Sequence, residues 1–136
     1  MTLIESLGAF IALCEQGKTL EAIERFYAED VVVFENHERA RAGREGCLAF
    51  ETNALAQLTE PARLRARAHA ANAQAGVAFI EWVIRFLGED GRPMRLDEVA
   101  VQRWAGGRIV EERFYYEGMV DEGDEDAPDA ALETSR

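Results

Sequence analysis

The sequence predicts an α+β protein in which three N-terminal helices pack on one face of a curved, mostly antiparallel sheet. Three observations carry this. Residues 2–58 hold three stretches with apolar side chains at helical spacing. Residues 77–117 hold three strand patterns separated by the turns GEDGRP and AGG. Pro61, Pro93 and Pro128 all fall outside element interiors, where a missing N–H costs least.

The elements follow in order. Thr2 and Glu5 form a capping-box pattern, Leu3, Leu7, Phe10, Ile11 and Cys14 follow helical spacing, and Gly17 is a natural stop. Thr19 is placed to cap a second helix with Leu20, Ile23, Phe26 and Tyr27 on one face. The run Val31–Phe34 is β-branched and aromatic, a short strand. The polar stretch ENHERARAG follows, then a third helix from about Arg44 to Leu58. Residues 62–74 alternate weakly, 77–87 give the strongest strand signal, and strands over 94–104 and 108–117 complete a meander.

Composition bounds the function. The chain has 136 residues, enough for one domain with its own core. A formal net charge of −11 argues against nucleic acid and anionic membranes as partners, since both need a basic face. No apolar run approaches the ~18 residues of a membrane span. The N-terminus lacks the pattern of a secretory leader, and Cys14 and Cys47 sit in helical apolar patterns. The expectation is a cytoplasmic protein with two buried free thiols. Residues 118–136 hold seven acids and one base, which predicts a disordered, solubilising tail beyond a domain at 1–117.

Alternation in the 77–87 strand puts Ala78, Ile80, Trp82, Ile84 and Phe86 on one face, and Val77, Phe79, Glu81, Val83, Arg85 and Leu87 on the other. Both faces are largely apolar, so both need cover. The Glu81 face is taken as the inner one. The other is expected to pair with a second copy, giving a homodimer through the outer sheet face. The alternative cover is the acidic tail folded over that face.

The order FYAEDVVVFEN, a helix after RAG, and a meander ending in QRWAGGRIVEERFYYE resembles the SnoaL-like branch of the NTF2-like superfamily over about residues 3–117. The resemblance implies a cone-shaped α+β barrel with an apolar cavity at its open end. Activities in the superfamily include ketosteroid isomerase, polyketide cyclases and limonene-epoxide hydrolase. Other members only bind. Set against ketosteroid isomerase, Glu35 falls on the general-base aspartate. The oxyanion-hole tyrosine falls on Phe10 and the protonated aspartate near Val99 or Ala100, none of which has a side chain that donates a hydrogen bond. Set against limonene-epoxide hydrolase, the Arg–Asp pair falls on Trp82 and Ile84, and the second aspartate near Glu117. Neither mechanism is reproduced residue for residue.

The candidate site follows. Glu35 is the general base at the end of the first strand, with His37 placed to orient it or to take the proton itself. Tyr116 is a proton donor, and Glu81 a buried carboxylate that either pairs with arginine or transfers protons. Phe10, Tyr27, Val33, Phe79, Val83, Val99, Val101 and Phe114 are the expected apolar lining. Glu112 and Arg103 are either cavity groups or an ion pair. The two histidines and two cysteines lack ligand spacing, so no metal is expected, and no glycine motif implies a nucleotide or other cofactor. The implied function is cofactor-independent isomerase, cyclase or lyase chemistry on a small apolar carbonyl compound. The alternative is a non-catalytic module that binds an apolar ligand or another protein.

Overall fold

Helix α1 (Leu3–Glu15) opens with the capping box the sequence signals: the Thr2 hydroxyl accepts from the Glu5 N–H, and the Glu5 carboxylate accepts from the Thr2 N–H. The structure is a computed structural model that describes residues 1–128; residues 129–136, the end of the predicted disordered tail, lie outside the described residues. Helix α2 (Thr19–Phe26) runs directly into strand β1 (Tyr27–Glu35), and β2 (Glu38–Ala42) precedes α3 (Arg44–Ala56). Strands β3 (Arg63–Asn72), β4 (Val77–Leu87), β5 (Pro93–Ala105), β6 (Arg108–Tyr115) and β7 (Met119–Asp121) follow.

The sheet has the order β2-β1-β6-β5-β4-β3, with β7 also on β5. Every pairing is antiparallel except β1 with β6. Register shifts interrupt β1 at Val33/Phe34, β3 at Ala66/Ala68 and β5 at Arg103/Trp104. Such irregularities bend strands and raise their twist, which lets the sheet curl around the helices. One end of the enclosed space is packed solid. Phe10 meets Phe26 edge-on at 6.1 Å, and Phe26 meets Trp104 at 5.7 Å, among Leu7, Val31, Ile80 and Ile109.

Three local expectations are corrected. Helix α2 starts at Thr19 rather than being capped by it; its N-cap is Lys18, with no side-chain cap bond. Tyr27 opens β1 instead of closing the helix, and the polar stretch after β1 forms β2. A strand at the sheet edge has one neighbour, so charged residues there stay solvated.

The inner and outer faces are exchanged. Ala78, Ile80 and Trp82 are buried in the core, while Phe79 is 43% and Val99 38% exposed on the opposite side. The reason is electrostatic. The Ala78–Phe86 face carries no charge and packs on the helices at no desolvation cost, whereas Glu81 would bring a carboxylate inside. Glu81 instead receives both Nε and Nη2 of Arg67, at 3.0 and 2.9 Å.

The acidic segment does not leave the sheet at residue 118. β7 pairs with Met94–Leu96, and Glu122 then accepts from Arg85 and Arg95, each at 3.1 Å. Arg95, 3% exposed, also binds Asp97 and donates to the Pro128 carbonyl at 2.6 Å. The chain after β6 thus lies over one end of the outer face. A three-residue strand has no readable alternation, and its contacts come from arginines far away in sequence.

Candidate active site

The curled sheet and the three helices enclose a cavity of about 430 Å³ beside the packed core. Its walls are mainly apolar. Phe10 and Ile23 come from α1 and α2, Leu55 and Leu58 from α3 and the turn after it, and Trp82, Ile84, Leu96 and Phe114 from the sheet. Into this space project Glu35, Glu98, Glu112, Arg41 and Tyr116.

Glu35 is the last residue of β1, and β2 returns antiparallel beside it after the turn at Asn36 and His37. Asn36 adopts φ 54°, a left-handed value that asparagine tolerates. It ties the turn to β6: its N–H donates to the Phe114 carbonyl at 2.8 Å, and its Oδ1 accepts from the Tyr116 N–H at 3.0 Å. This brings Tyr116 to Glu35, with Tyr116 Oη donating to Oε1 at 2.5 Å. Arg41 Nη1 donates to Oε2, also at 2.5 Å. The Arg41 guanidinium lies 3.9 Å above the Phe50 ring, which fixes its orientation.

Deeper in the cavity, Glu112 is fully buried on β6. Tyr27 Oη donates to its Oε1 and Gln102 Nε2 to its Oε2 at 2.6 Å, while Trp104 Nε1 donates to Gln102 Oε1 at 3.1 Å. Both carboxylate oxygens are therefore satisfied. Glu98, on β5, differs. It lies largely in the cavity wall and has no hydrogen-bond or ion-pair partner among the described residues.

These environments separate the protonation states. Burial pushes Glu35 up, but hydrogen bonds from Tyr116 and Arg41 outweigh it and hold its carboxyl below the usual value. Burial, reinforced by the negative charges of Glu112 and Glu35, pushes Glu98 up to about 8, with Arg41 opposing. Burial also raises Glu112 against its bonds from Tyr27 and Gln102. The bond to Glu35 raises Tyr116 to about 12, so its phenol keeps its proton. At neutral pH the cavity holds an ionised Glu35 and a neutral Glu98.

The sequence candidates divide accordingly. Glu35, Tyr116, Phe10, Tyr27 and Phe114 line the cavity. Val33 is buried in the core. His37 is exposed in the turn and borders a second, polar depression of about 470 Å³ outside Glu35. Glu81, Phe79, Val83, Val99 and Val101 lie on the outer face, which follows from the exchanged parity. Val99 pairs across from Glu81, and Val101 from Phe79. Trp82, expected outside, forms part of the cavity wall. The sequence reasoning missed Glu98 and Arg41 and left Glu112 undecided. The signal for Glu98 was present, since the alternation that puts Ala100 and Gln102 inside puts Glu98 there too. Arg41 sits in the edge strand read as a polar loop.

No helix among the described residues is long and apolar enough to cross a membrane. No group of three or more potential metal-binding side chains is found among the described residues.

No curated protein matches the sequence. Among solved structures, a Mesorhizobium loti protein named for its likeness to SnoaL-type polyketide cyclases superposes with a TM-score of 0.69 at 24% identity, covering 85% of this chain and 100% of that one. An NTF2-like protein of unknown function from Burkholderia xenovorans gives 0.63 at 20% identity, covering 84% and 81%. SalBIII, an epoxide hydrolase/cyclase-like enzyme in pyran ring formation in the polyether salinomycin, gives 0.70 at 12% identity, covering 85% and 90%. At these identities the likeness speaks for the fold. The SnoaL-like domain profile matches residues 7–112, most of the chain, and with the architecture above this makes the protein a member of the SnoaL-like family within the NTF2-like superfamily.

Proposed function

We propose that this chain is a cofactor-independent acid–base enzyme of the isomerase, cyclase or lyase type, acting on a small apolar carbonyl compound. One observation carries the proposal: two carboxyls in a single apolar cavity are driven in opposite directions, Glu35 towards ionisation and Glu98 towards neutrality. Paired groups with separated pKa values are the arrangement that acid–base catalysis requires.

In this scheme the substrate's apolar body lies among Phe10, Trp82 and Phe114. The Glu35 carboxylate takes a proton from a carbon next to a carbonyl. The electron pair moves into the carbonyl, and the protonated Glu98 donates a hydrogen bond to the oxygen as negative charge develops there. Return of the proton to another carbon isomerises the substrate, whereas attack of the enolate carbon on a second carbonyl of the substrate closes a ring, that carbonyl's π pair becoming an alkoxide that takes the proton back from Glu35. Tyr116 and Arg41 hold the carboxylate in place. They also weaken it as a base, so the carbon acid must itself be activated, as in a β-dicarbonyl or an enone.

The alternative is a binding pocket without turnover, and it draws on the occupation of both Glu35 oxygens by protein groups. One experiment separates the two. Wild type and Glu35→Gln are incubated with a panel of ketones, epoxides and polyketide-like compounds, and both binding and conversion are followed. The expected result is a converted compound for which Glu35→Gln keeps the affinity and loses about 10²–10⁴-fold in turnover. Unchanged turnover removes Glu35 as base, and binding of the panel without conversion by the wild type favours the pocket alone.

A further inference from the structure

One part of the cavity wall is held to the fold differently from the rest. Leu96 on β5 lines the cavity, and its ladder partner Met119 on β7 lines it too. Met119 is 62% exposed, and Phe50 on α3 is 49% exposed. They are the exposed large apolar residues of the lining, so they mark its rim, one on the helix side and one on the sheet side.

Charge, not apolar packing, keeps β7 in place. Among the described residues, none after Phe114 joins the hydrophobic core. The ladder to β5 is three residue pairs long, and one further backbone bond runs from the Glu122 N–H to the Pro93 carbonyl at 2.8 Å. Arginines supply the remaining hold. Arg92 Nε donates to Asp121 at 2.5 Å, Arg85 and Arg95 converge on Glu122, and Arg95 reaches the Pro128 carbonyl. Ion pairs that water reaches weaken as salt screens them, and a segment with few buried apolar contacts opens locally at low free energy.

The other end of the segment is fixed. Tyr116 is tied by its N–H to Asn36 and by its hydroxyl to Glu35. Glu117 and Gly118, between this anchor and β7, are exposed and belong to no strand. A Cβ added at Gly118 would meet nothing within 4 Å, so the space beside it is open.

We propose that residues 117–128 form a strap latched by Asp121 and Glu122, and that its release swings Met119 off the rim and widens the entrance to the cavity. The strap pivots beyond Tyr116, so it opens without breaking the bond from Tyr116 to Glu35. Its role is kinetic. While the closed form predominates, the latch sets how fast an apolar molecule enters and leaves, and hardly changes how tightly it is held. This rests on the cavity being a ligand site, and on no particular chemistry within it.

The test uses the full chain and a neutral apolar dye, N-phenyl-1-naphthylamine, whose uptake is followed by stopped-flow fluorescence. Glu122→Gln removes the charge that Arg85 and Arg95 share. It is expected to raise the association and dissociation rates together, by about three- to tenfold, with the dissociation constant changed by less than about twofold. Raising NaCl from about 0.05 to about 1 M is expected to speed exchange in wild type, and far less in Glu122→Gln. A second variant works in the opposite direction. Met94 and Asp121 are ladder partners, and paired positions lie within disulfide reach. The oxidised Met94→Cys/Asp121→Cys protein is expected to take up and release the dye several-fold more slowly than its reduced form. Hydrogen exchange at residues 119–122 is expected to quicken in Glu122→Gln while the β4 amides stay unchanged.

Dye rates that stay the same in Glu122→Gln, or in the cross-linked protein on oxidation, overturn the proposal. A weaker dissociation constant at an unchanged association rate also overturns it, by making Met119 a fixed part of the wall. No uptake into the cavity by wild type or Glu122→Gln, seen as no signal or as a signal that survives Ala54→Trp in the cavity wall, overturns it as well. Failure of the catalytic proposal looks different: dye exchange follows the latch, yet no panel compound is converted.

Discussion

Replacing Glu98 with glutamine should change how stability depends on pH, and the size of the change follows from the cavity. Glu98 titrates at about 8 in the fold against an ordinary 4.5. A gap of about 3.5 units corresponds to roughly 5 kcal/mol at 1.36 kcal/mol per unit. The side chain borders an open cavity whose water screens it, so about half of that, roughly 2–3 kcal/mol, is expected. The sign follows from the raised pKa. Below about 4.5 both folded and unfolded states are protonated, and the contribution is fully present. Between about 4.5 and 8 the unfolded chain ionises while the fold keeps its proton, so stability falls as pH rises. Above about 8 both are ionised and the loss is complete. Glutamine imitates the neutral acid and does not titrate. Thermal melts from pH 5 to pH 9 should therefore show wild type losing about 10 °C relative to Glu98→Gln, taking about 4 °C per kcal/mol for a domain of this size. The difference curve cancels the titrating groups that do not interact with Glu98. Parallel curves for the two proteins would refute the assignment of a neutral Glu98.

Two further outcomes follow. Tyr27→Phe removes a donor from the buried Glu112 carboxylate, and should lower stability by about 1–3 kcal/mol in chemical denaturation while leaving the sheet intact. We also propose that the outer face left uncovered by the C-terminal segment, where Phe79, Val99 and Tyr115 are exposed, seats a second copy of the chain. Sedimentation equilibrium should then give a dimer for wild type and a monomer for Val99→Arg, and a monomeric wild type would refute it.

Much of the architecture was legible because local signals agreed with it. The Thr2–Glu5 cap, the apolar spacing of α1 and the β4 boundaries at 77–87 all follow from residue type and period. The strand faces were not legible to the same degree. Alternation fixes which residues share a face, but it leaves open which face is inside when both are apolar. Choosing the Glu81 face as inner moved Phe79, Val99 and Val101 together into the expected lining, and moved Trp82 and Glu98 out of it. The charge was the clue. Glu81 and Arg85 sit on a face that other arginines and acids can reach, whereas the Ala78–Phe86 face carries none. Arg41 and β7 were hidden for another reason. Both depend on pairings between segments distant in the chain, Arg41 with Glu35 across a hairpin and β7 with Met94–Leu96, and neither leaves a periodic trace.

The proposed chemistry requires an ionised Glu35 and a neutral Glu98 in the same cavity at neutral pH. The direct measurement is the carboxyl carbon resonance of each in protein labelled with ¹³C at the glutamate side chains, assigned with Glu35→Gln and Glu98→Gln. At pH 7 the account predicts Glu35 at the shift of a carboxylate and Glu98 at that of a carboxylic acid, the latter moving only as pH passes about 8. Two carboxylate shifts at pH 7 would contradict it.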